Sequence, residues 1–314
     1  MRFKVLLVTI GVLTLALLIG MIVFYQPDIV LETLKTKYAG APSRFVDVMN
    51  MQVHYRDEGP ETDTMPLVLL HGTASSLHTW SACAKEWTKT HRVLRMDLPG
   101  FGLTGPHPEH NYSIDMYVAF LAAFLEATNV DQCYLAGNSL GGLIAYEFAA
   151  AHPDKVKKLV LLDAAGYPIT NAKGSLAFTL GRIPVLKNIL KVITPISLVR
   201  KSLEDAYGDK TLVTDELVEQ YRDLACREGN REALVQRLNL EHKTDTTVIG
   251  TLAIPTLVIW GELDQLIPVT HAYKFSRDLP VDSLVVLPGV GHVPMEESPR
   301  LIIPLVNGFV RESL

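Results

Sequence analysis

Cys133-Tyr134-Leu135-Ala136-Gly137-Asn138-Ser139-Leu140-Gly141-Gly142 is the stretch on which the fold turns. Its first four residues form an apolar run of the kind that fills a buried strand, and from Leu140 to Ala151 the apolar spacing becomes helical. The small residues beside Ser139 allow a tight, strained turn from strand to helix. Such a turn lifts the Ser139 hydroxyl above the strand end, with the positive end of the helix dipole behind it. A bare G-x-S-x-G arises often by chance, so it is the strand before it and the helix after it that make the pattern specific. The bland alternative is a glycine-rich turn in which Ser139 only caps the helix.

A serine alcohol is a poor nucleophile until a base takes its proton, so a histidine and a carboxylate are expected at the ends of later strands. Trp260-Gly261-Glu262-Leu263-Asp264 follows an apolar run at Thr256–Trp260, and Gly291-His292-Val293-Pro294 follows one at Ser283–Leu287. Of ten histidines, His292 lies beyond the last of these runs, beside glycines that permit a tight loop. His271 and His242 are distant rivals. Asp264 is the preferred acid, placed to turn back toward the imidazole and hold its tautomer. Glu262, two positions away, and Asp163, at the end of Leu159–Leu162, stay open as alternatives, Asp163 being expected in a structural role where the chain leaves the sheet. The remaining part of the site is an oxyanion hole, expected from the backbone N–H groups of Leu140 and of Thr73 in His71-Gly72-Thr73. His71 itself is expected to bond loop backbone, and Asp97, in Asp97-Leu98-Pro99-Gly100-Phe101-Gly102, to hold the next loop.

Working outward, short apolar runs alternate with helical patterns, which predicts an α/β fold with a mostly parallel eight-stranded sheet and flanking helices. The strands fall at Phe45–Val48, Val53–Arg56, Leu67–Leu70, Val93–Met96, Cys133–Ala136, Leu159–Leu162, Thr256–Trp260 and Ser283–Leu287, the first two as an antiparallel pair. Helices are expected at Trp80–Thr90, Ile114–Thr128, Leu140–Ala151, Val269–Leu279 and Pro299–Val310. Between Leu162 and Thr256 the chain is far longer than the dozen or so residues a crossover needs. The excess, at about residues 167–247, is expected to be a helical cap over the carboxyl edge of the sheet, where open parallel sheets bind ligands. Leu176, Phe178, Leu180 and Ile183 would pack that cap or line the pocket beneath it.

Taken in order, HG at His71-Gly72, DLPGFG at residues 97–102, GNSLGG at 137–142, WGELD at 260–264 and GHVPMEESP at 291–299 resemble the α/β-hydrolase fold family. The resemblance runs from about Phe45 to the carboxyl terminus. It implies a Ser139, Asp264 and His292 triad with no metal and no organic cofactor. Members with aspartate at the nucleophile position are dehalogenases or epoxide hydrolases, so Ser139 points instead to acyl transfer to water. Among serine members the expectation is a carboxylic ester hydrolase of the esterase or lipase kind, acting on a lipid-like or medium-chain ester. The alternative is a hydrolase that cleaves carbon–carbon bonds in aromatic-degradation products, which shares the GNSxGG elbow. An alternative of another class is a catalytically silent, membrane-tethered binding protein, whose signature would be a missing triad member.

Composition bounds the rest. The 314 residues are 48% hydrophobic and 20% charged, with a formal net charge of −5, and show no basic clustering of the kind nucleic-acid binding requires. Cys83, Cys133 and Cys226 have neither zinc nor redox spacing and read as packing residues. From Val5 to Tyr25 there are 21 positions without a charge, enough at ~1.5 Å per residue to cross ~30 Å of hydrocarbon. Residues 1–25 are therefore expected to be a transmembrane anchor, with a signal peptide as the alternative. Arg2 and Lys4 before the span would keep the amino terminus cytoplasmic and put the catalytic domain, residues 44–314, on the outer side. Residues 26–43 are expected to be a short helical linker, with Ile29, Leu31 and Leu34 resting on lipid.

Overall fold

The structure is a computed structural model and describes residues 9, 11, 25–169, 191–240 and 245–311. Eight strands lie in one sheet: β1 (Ser43–Val48), β2 (Met51–Glu58), β3 (Leu67–Leu70), β4 (Val93–Met96), β5 (Cys133–Asn138), β6 (Val156–Leu162), β7 (Thr256–Gly261) and β8 (Asp282–Leu287), in the spatial order β1-β2-β4-β3-β5-β6-β7-β8. β2 runs antiparallel to both β1 and β4, and every other pairing is parallel. The inner strands β3, β4 and β7 are buried at every position, because helices cover both faces of a parallel sheet. The edge strands β1 and β8 alternate with exposed positions.

Side chains along a strand point alternately to opposite faces, and the core divides accordingly. Val68 and Leu70 of β3 pack into one cluster with Phe120, Phe124, Tyr146, Phe148 and Phe275. Those aromatics come from α3 (Ile114–Ala127), α4 (Leu140–Ala151) and α8 (Thr270–Asp278). Leu67 and Leu69 enter the opposite cluster with Trp80, Trp87, Ile302 and Val306, where α2 (Ser81–Trp87) and α10 (Pro299–Arg311) lie. The intervening helices are α5 (Ile196–Ala206), α6 (Asp215–Ala225) and α7 (Asn230–Leu238), all between β6 and β7, and the short α9 (Pro294–Glu297) after β8. Leu176, Phe178, Leu180, Ile183 and His242 lie outside the described residues. All three cysteines are free and buried.

The amino-terminal segment corrects two expectations. Among the described residues no helix is long and apolar enough to cross a membrane, which overturns the single-pass placement and the outer-side localisation built on it. The apolar run itself lies outside the described residues except for Thr9, Gly11 and Tyr25. The helix expected after it exists as α1 (Leu31–Tyr38), but its apolar face rests on protein rather than lipid. Leu34 and Tyr38 pack with Leu103 and Leu224, while Ile29, Leu31 and Phe45 lie against the same cluster. Polar ties reinforce the seat: Ile29 N–H donates to Cys226 O at 2.8 Å, Gln26 N–H to Val192 O at 3.0 Å, and Arg231 holds Asp28 at 2.7 Å. The mistaken reading has a simple cause. An apolar stripe on a short helix looks the same whether a bilayer or a protein covers it.

Candidate active site

Strand order reverses between β3 and β5, since the chain leaves β3 for β4 on one side and returns to β5 on the other. At such a switch point the loops after the two strands diverge and leave a crevice at their carboxyl ends. Gly72 and Thr73 follow β3, and Ser139 follows β5. Ser139 has φ 54° and ψ −116°, a conformation a non-glycine residue adopts only at a cost of ~1–3 kcal/mol. The turn is crowded. A β-carbon on Gly137 would lie 2.2 Å from Gly141 O, and one on Gly141 would lie 2.4 Å from Leu70 O. Both clashes are with backbone, so only glycine lets the elbow close against β3.

His292 follows β8 in a loop stitched to its surroundings through the backbone, its N–H donating to Ala206 O at 2.6 Å. Asn138, immediately before Ser139, donates from Nδ2 to His292 O at 2.9 Å and to Leu162 O at 3.2 Å. One buried amide thus fixes the nucleophile's strand end to the histidine loop. His292 Nδ1 lies 2.7 Å from Asp264 Oδ2. The other carboxylate oxygen, Oδ1, accepts from Leu266 N–H at 2.8 Å and Ile267 N–H at 2.9 Å. Asp264 therefore has each oxygen assigned, one to backbone and one to the imidazole.

Of the two rival acids, Glu262 points its Oε2 to Gly289 N–H at 3.2 Å and has no bond to His292. Asp163 sits deeper, fully buried with φ 45°, and its Oδ1 accepts from Gly261 N–H at 2.9 Å. One donor atom from each of Asp163, Asp264 and His292 falls within 4.8 Å of the others. Burial raises the Asp163 carboxyl well above the usual range, and the neighbouring Asp264 carboxylate pushes it further. Two carboxyl groups this close in one dry pocket each disfavour the other's charge.

Thr73, Ser139 and His292 line one cavity of about 160 Å³. Its far wall is aliphatic and comes from the segment between β6 and β7: Leu198, Val199 and Leu203 on α5, and Leu234, Val235 and Leu238 on α7. Leu140 is the first residue of α4, where a backbone N–H has no intrahelical acceptor and is free to meet an anion. His71 is committed elsewhere. Its Nε2 accepts from Leu98 N–H at 2.9 Å, which places the ring proton on Nδ1, donating to Gly72 O at 2.7 Å. Burial lowers its pKa, keeping that neutral tautomer. Asp97 accepts from the backbone of Leu77 and Leu103, both at 2.7 Å, and pairs with His54 at 2.7 Å. Burial works against its charge, but His54 together with the neighbouring His71 and His78 outweighs it and holds the carboxyl well below the usual range. His271 is buried on α8, edge-on to Tyr167.

Sequence reasoning passed over Asn138, Tyr221 and Glu296, whose hydrogen-bond partners lie far along the chain. Asn138 carried the strongest local signal, a polar residue inside an otherwise apolar strand end directly before Ser139.

A family model described as the alpha/beta hydrolase fold matches residues 65–182. The 2-hydroxy-6-oxo-2,4-heptadienoate hydrolase of Pseudomonas putida is 30% identical over 256 residues, 78% of this chain and 88% of that protein. The chain belongs to the α/β-hydrolase family. Among solved α/β-hydrolases, it is similar to a candidate lipase from Acinetobacter baumannii AYE, at 28% identity and TM-score 0.75, covering 91% of this chain and 97% of the other. It is also similar to a meta-cleavage product hydrolase from Pseudomonas fluorescens IP01, at 25% identity and TM-score 0.72, covering 85% and 97%. The fold is thus shared with solved structures of more than one described activity.

Proposed function

We propose that this hydrolase cleaves carboxylic esters with an apolar acyl chain through an acyl-enzyme on Ser139. The observation that carries the reading is the aliphatic wall facing Ser139 and His292, which favours a hydrocarbon arm beside the reacting carbonyl. His292 Nε2 takes the hydroxyl proton as Oγ bonds to the ester carbon. The carbonyl electrons move onto oxygen, where the N–H groups of Thr73 and Leu140 stabilise them. Collapse breaks the bond to the alcohol, which leaves with the proton from His292. Water then attacks the acyl-enzyme, giving its proton to the same imidazole, and the acid departs as Ser139 recovers its hydrogen. Asp264 orients the ring and balances the imidazolium formed in each half. The similarity to a candidate lipase agrees with this reading.

A second reading, a carbon–carbon bond hydrolase, has support of its own. The named sequence relatives include the heptadienoate hydrolase and 2-hydroxymuconate semialdehyde hydrolases, and they weigh on this side more than on the ester side. One feature of the cavity favours it too. Arg231 lines the wall and is buried, and among the described residues its Nη1 has no hydrogen-bond partner, whereas Nε and Nη2 are held by Asp28 and Gln26 O. A guanidinium in the wall of an otherwise apolar cavity suits an anionic substrate such as a dienoate. The deciding experiment compares kcat/KM for a series of p-nitrophenyl esters with that for a 2-hydroxy-6-oxo-dienoate, using wild type and Ser139→Ala. Ester turnover that rises with acyl length and vanishes in Ser139→Ala is expected. Preferential turnover of the dienoate would replace the ester assignment, and unchanged turnover in Ser139→Ala would sink the nucleophile.

A further inference from the structure

The two glutamates of the Gly291–Pro299 motif, four and five residues past His292, have no part in the steps above, yet they bond three separate segments of the site. Glu297 accepts from Gly291 N–H at 2.8 Å, Asp209 N–H at 2.8 Å and Gly208 N–H at 3.1 Å, tying the His292 loop to the chain leaving α5. Glu296 accepts from the hydroxyls of Thr79, Tyr207 and Tyr221, the last at 2.5 Å. Among the described residues, Tyr221 alone of these hydroxyls also reaches the loop that carries Thr73, its oxygen lying 3.2 Å from Ser75 Oγ. A phenol has one proton, and Tyr221 donates it to Glu296. Ser75 must therefore donate to Tyr221, which donates to Glu296. The resulting chain is directional, from the turn closed by Ser75 N–H on Gly72 O at 3.3 Å, through α6, to the helix after His292.

We infer that Tyr221 and Glu296 are positioning residues that hold the Gly72–Ser75 loop against α6, so that the Thr73 N–H is in place for the oxyanion only while that helix is seated. The inference rests on the oxyanion role proposed for Thr73. Without this tether the aliphatic wall on α5 and α7 still holds the substrate, but the loop presents its N–H in a broader range of directions. An oxyanion donor acts only where charge develops, so the defect falls on the chemical step rather than on binding.

Tyr221→Phe tests this, because it removes the hydroxyl and leaves the ring against the cavity. Three quantities are read: kcat and KM on the preferred ester, the rate at which a fluorophosphonate labels Ser139, and the melting temperature. Complete loss of one oxyanion donor costs ~100 to 1,000-fold, so a loosened one is expected to lower kcat and the labelling rate by roughly tenfold, with KM within about twofold. Ser75→Ala should reproduce the loss, and the double variant should add little, since both act through one chain. Glu296→Leu should fall in the same direction, because it removes the oxygen that accepts the phenol proton. Unchanged kcat and labelling in Tyr221→Phe, a change in KM alone, or fully additive losses would overturn the positioning role. The labelling rate separates this from the substrate question. Wild type that labels at Ser139 but hydrolyses no ester removes the ester reading while the variants still test the tether, whereas wild type that fails to label overturns both.

Discussion

Asp264→Asn is a sharper test of the triad than truncation, because the structure dictates which way the new amide must face. Asp264 Oδ1 accepts two backbone N–H groups, from Leu266 and Ile267, at 2.8 and 2.9 Å. An asparagine must keep its carbonyl oxygen there, since its amino group would set donors against two buried donors at a cost of ~1–3 kcal/mol each. The amino group is then driven to the Oδ2 position, 2.7 Å from His292 Nδ1. Facing a donor, Nδ1 must accept, and the ring proton moves to Nε2, the nitrogen that has to receive the Ser139 proton. The base is lost through its tautomer while the shape of the site is kept. The equivalent change in serine proteases costs about 10⁴ in kcat, or roughly 5.4 kcal/mol at 1.36 kcal/mol per decade. The assay is kcat/KM on a p-nitrophenyl ester across pH, with the melting temperature as a control for folding. A loss of three to four decades at neutral pH is expected by this logic. Retention of more than a tenth of wild-type activity would refute it, as would Asp163→Asn proving the more damaging change.

Other outcomes follow from the same coordinates. Asp163 has its folded pKa raised by burial and by Asp264, so the stability it contributes is full below the unfolded value near 4 and declines as pH rises through the folded one. Asparagine does not ionise, so the melting temperature of Asp163→Asn relative to wild type should climb as the pH rises above ~4, and a difference flat with pH in calorimetry would count against a raised Asp163 pKa. Leu34 is 1% exposed within its cluster, so Leu34→Ala should cost about 2–5 kcal/mol in denaturant unfolding; no loss would mean that α1 is not seated on the domain. His71→Gln should lower stability, since it removes the acceptor for Leu98 N–H and the donor to Gly72 O. If it lowered activity without moving the melting temperature, a direct chemical role would replace the structural one.

Much of this site lies within single short stretches, which is why it can be read from sequence. The elbow at Ser139 needs only β5, one turn and α4, and steric exclusion by the backbone at Gly137 and Gly141 leaves its mark in the residues themselves. Buried strands such as Leu67–Leu70 announce themselves because both faces are covered, and their bounds matched the reading. Asp264 was harder, since three carboxylates stood at suitable strand ends and only the fold shows which one meets His292. What was not legible is pairing over distance. Tyr221 and Glu296 are 75 positions apart, and Asp28 and Arg231 are 203 apart. Neither pair carries a local pattern that separates it from ordinary surface charge and aromatic content. The same limit misassigned Leu34, whose apolar neighbours are Leu103 and Leu224 rather than lipid.

The seat of α1 also defines a path for mechanical force. Backbone bonds from Gln26 and Ile29 reach Val192 and Cys226, the guanidinium of Arg231 clasps Asp28, and Arg231 itself forms part of the cavity wall. A pull on the chain ahead of Gln26 would therefore arrive at α7 before it reached the central sheet. For recombinant work, a shortened chain starting at Gly40 keeps every strand but cuts this line, and it should show faster proteolysis between β6 and β7 than one starting before Gln26. Equal digestion of the two would mean that the segment rides on the domain without bearing load.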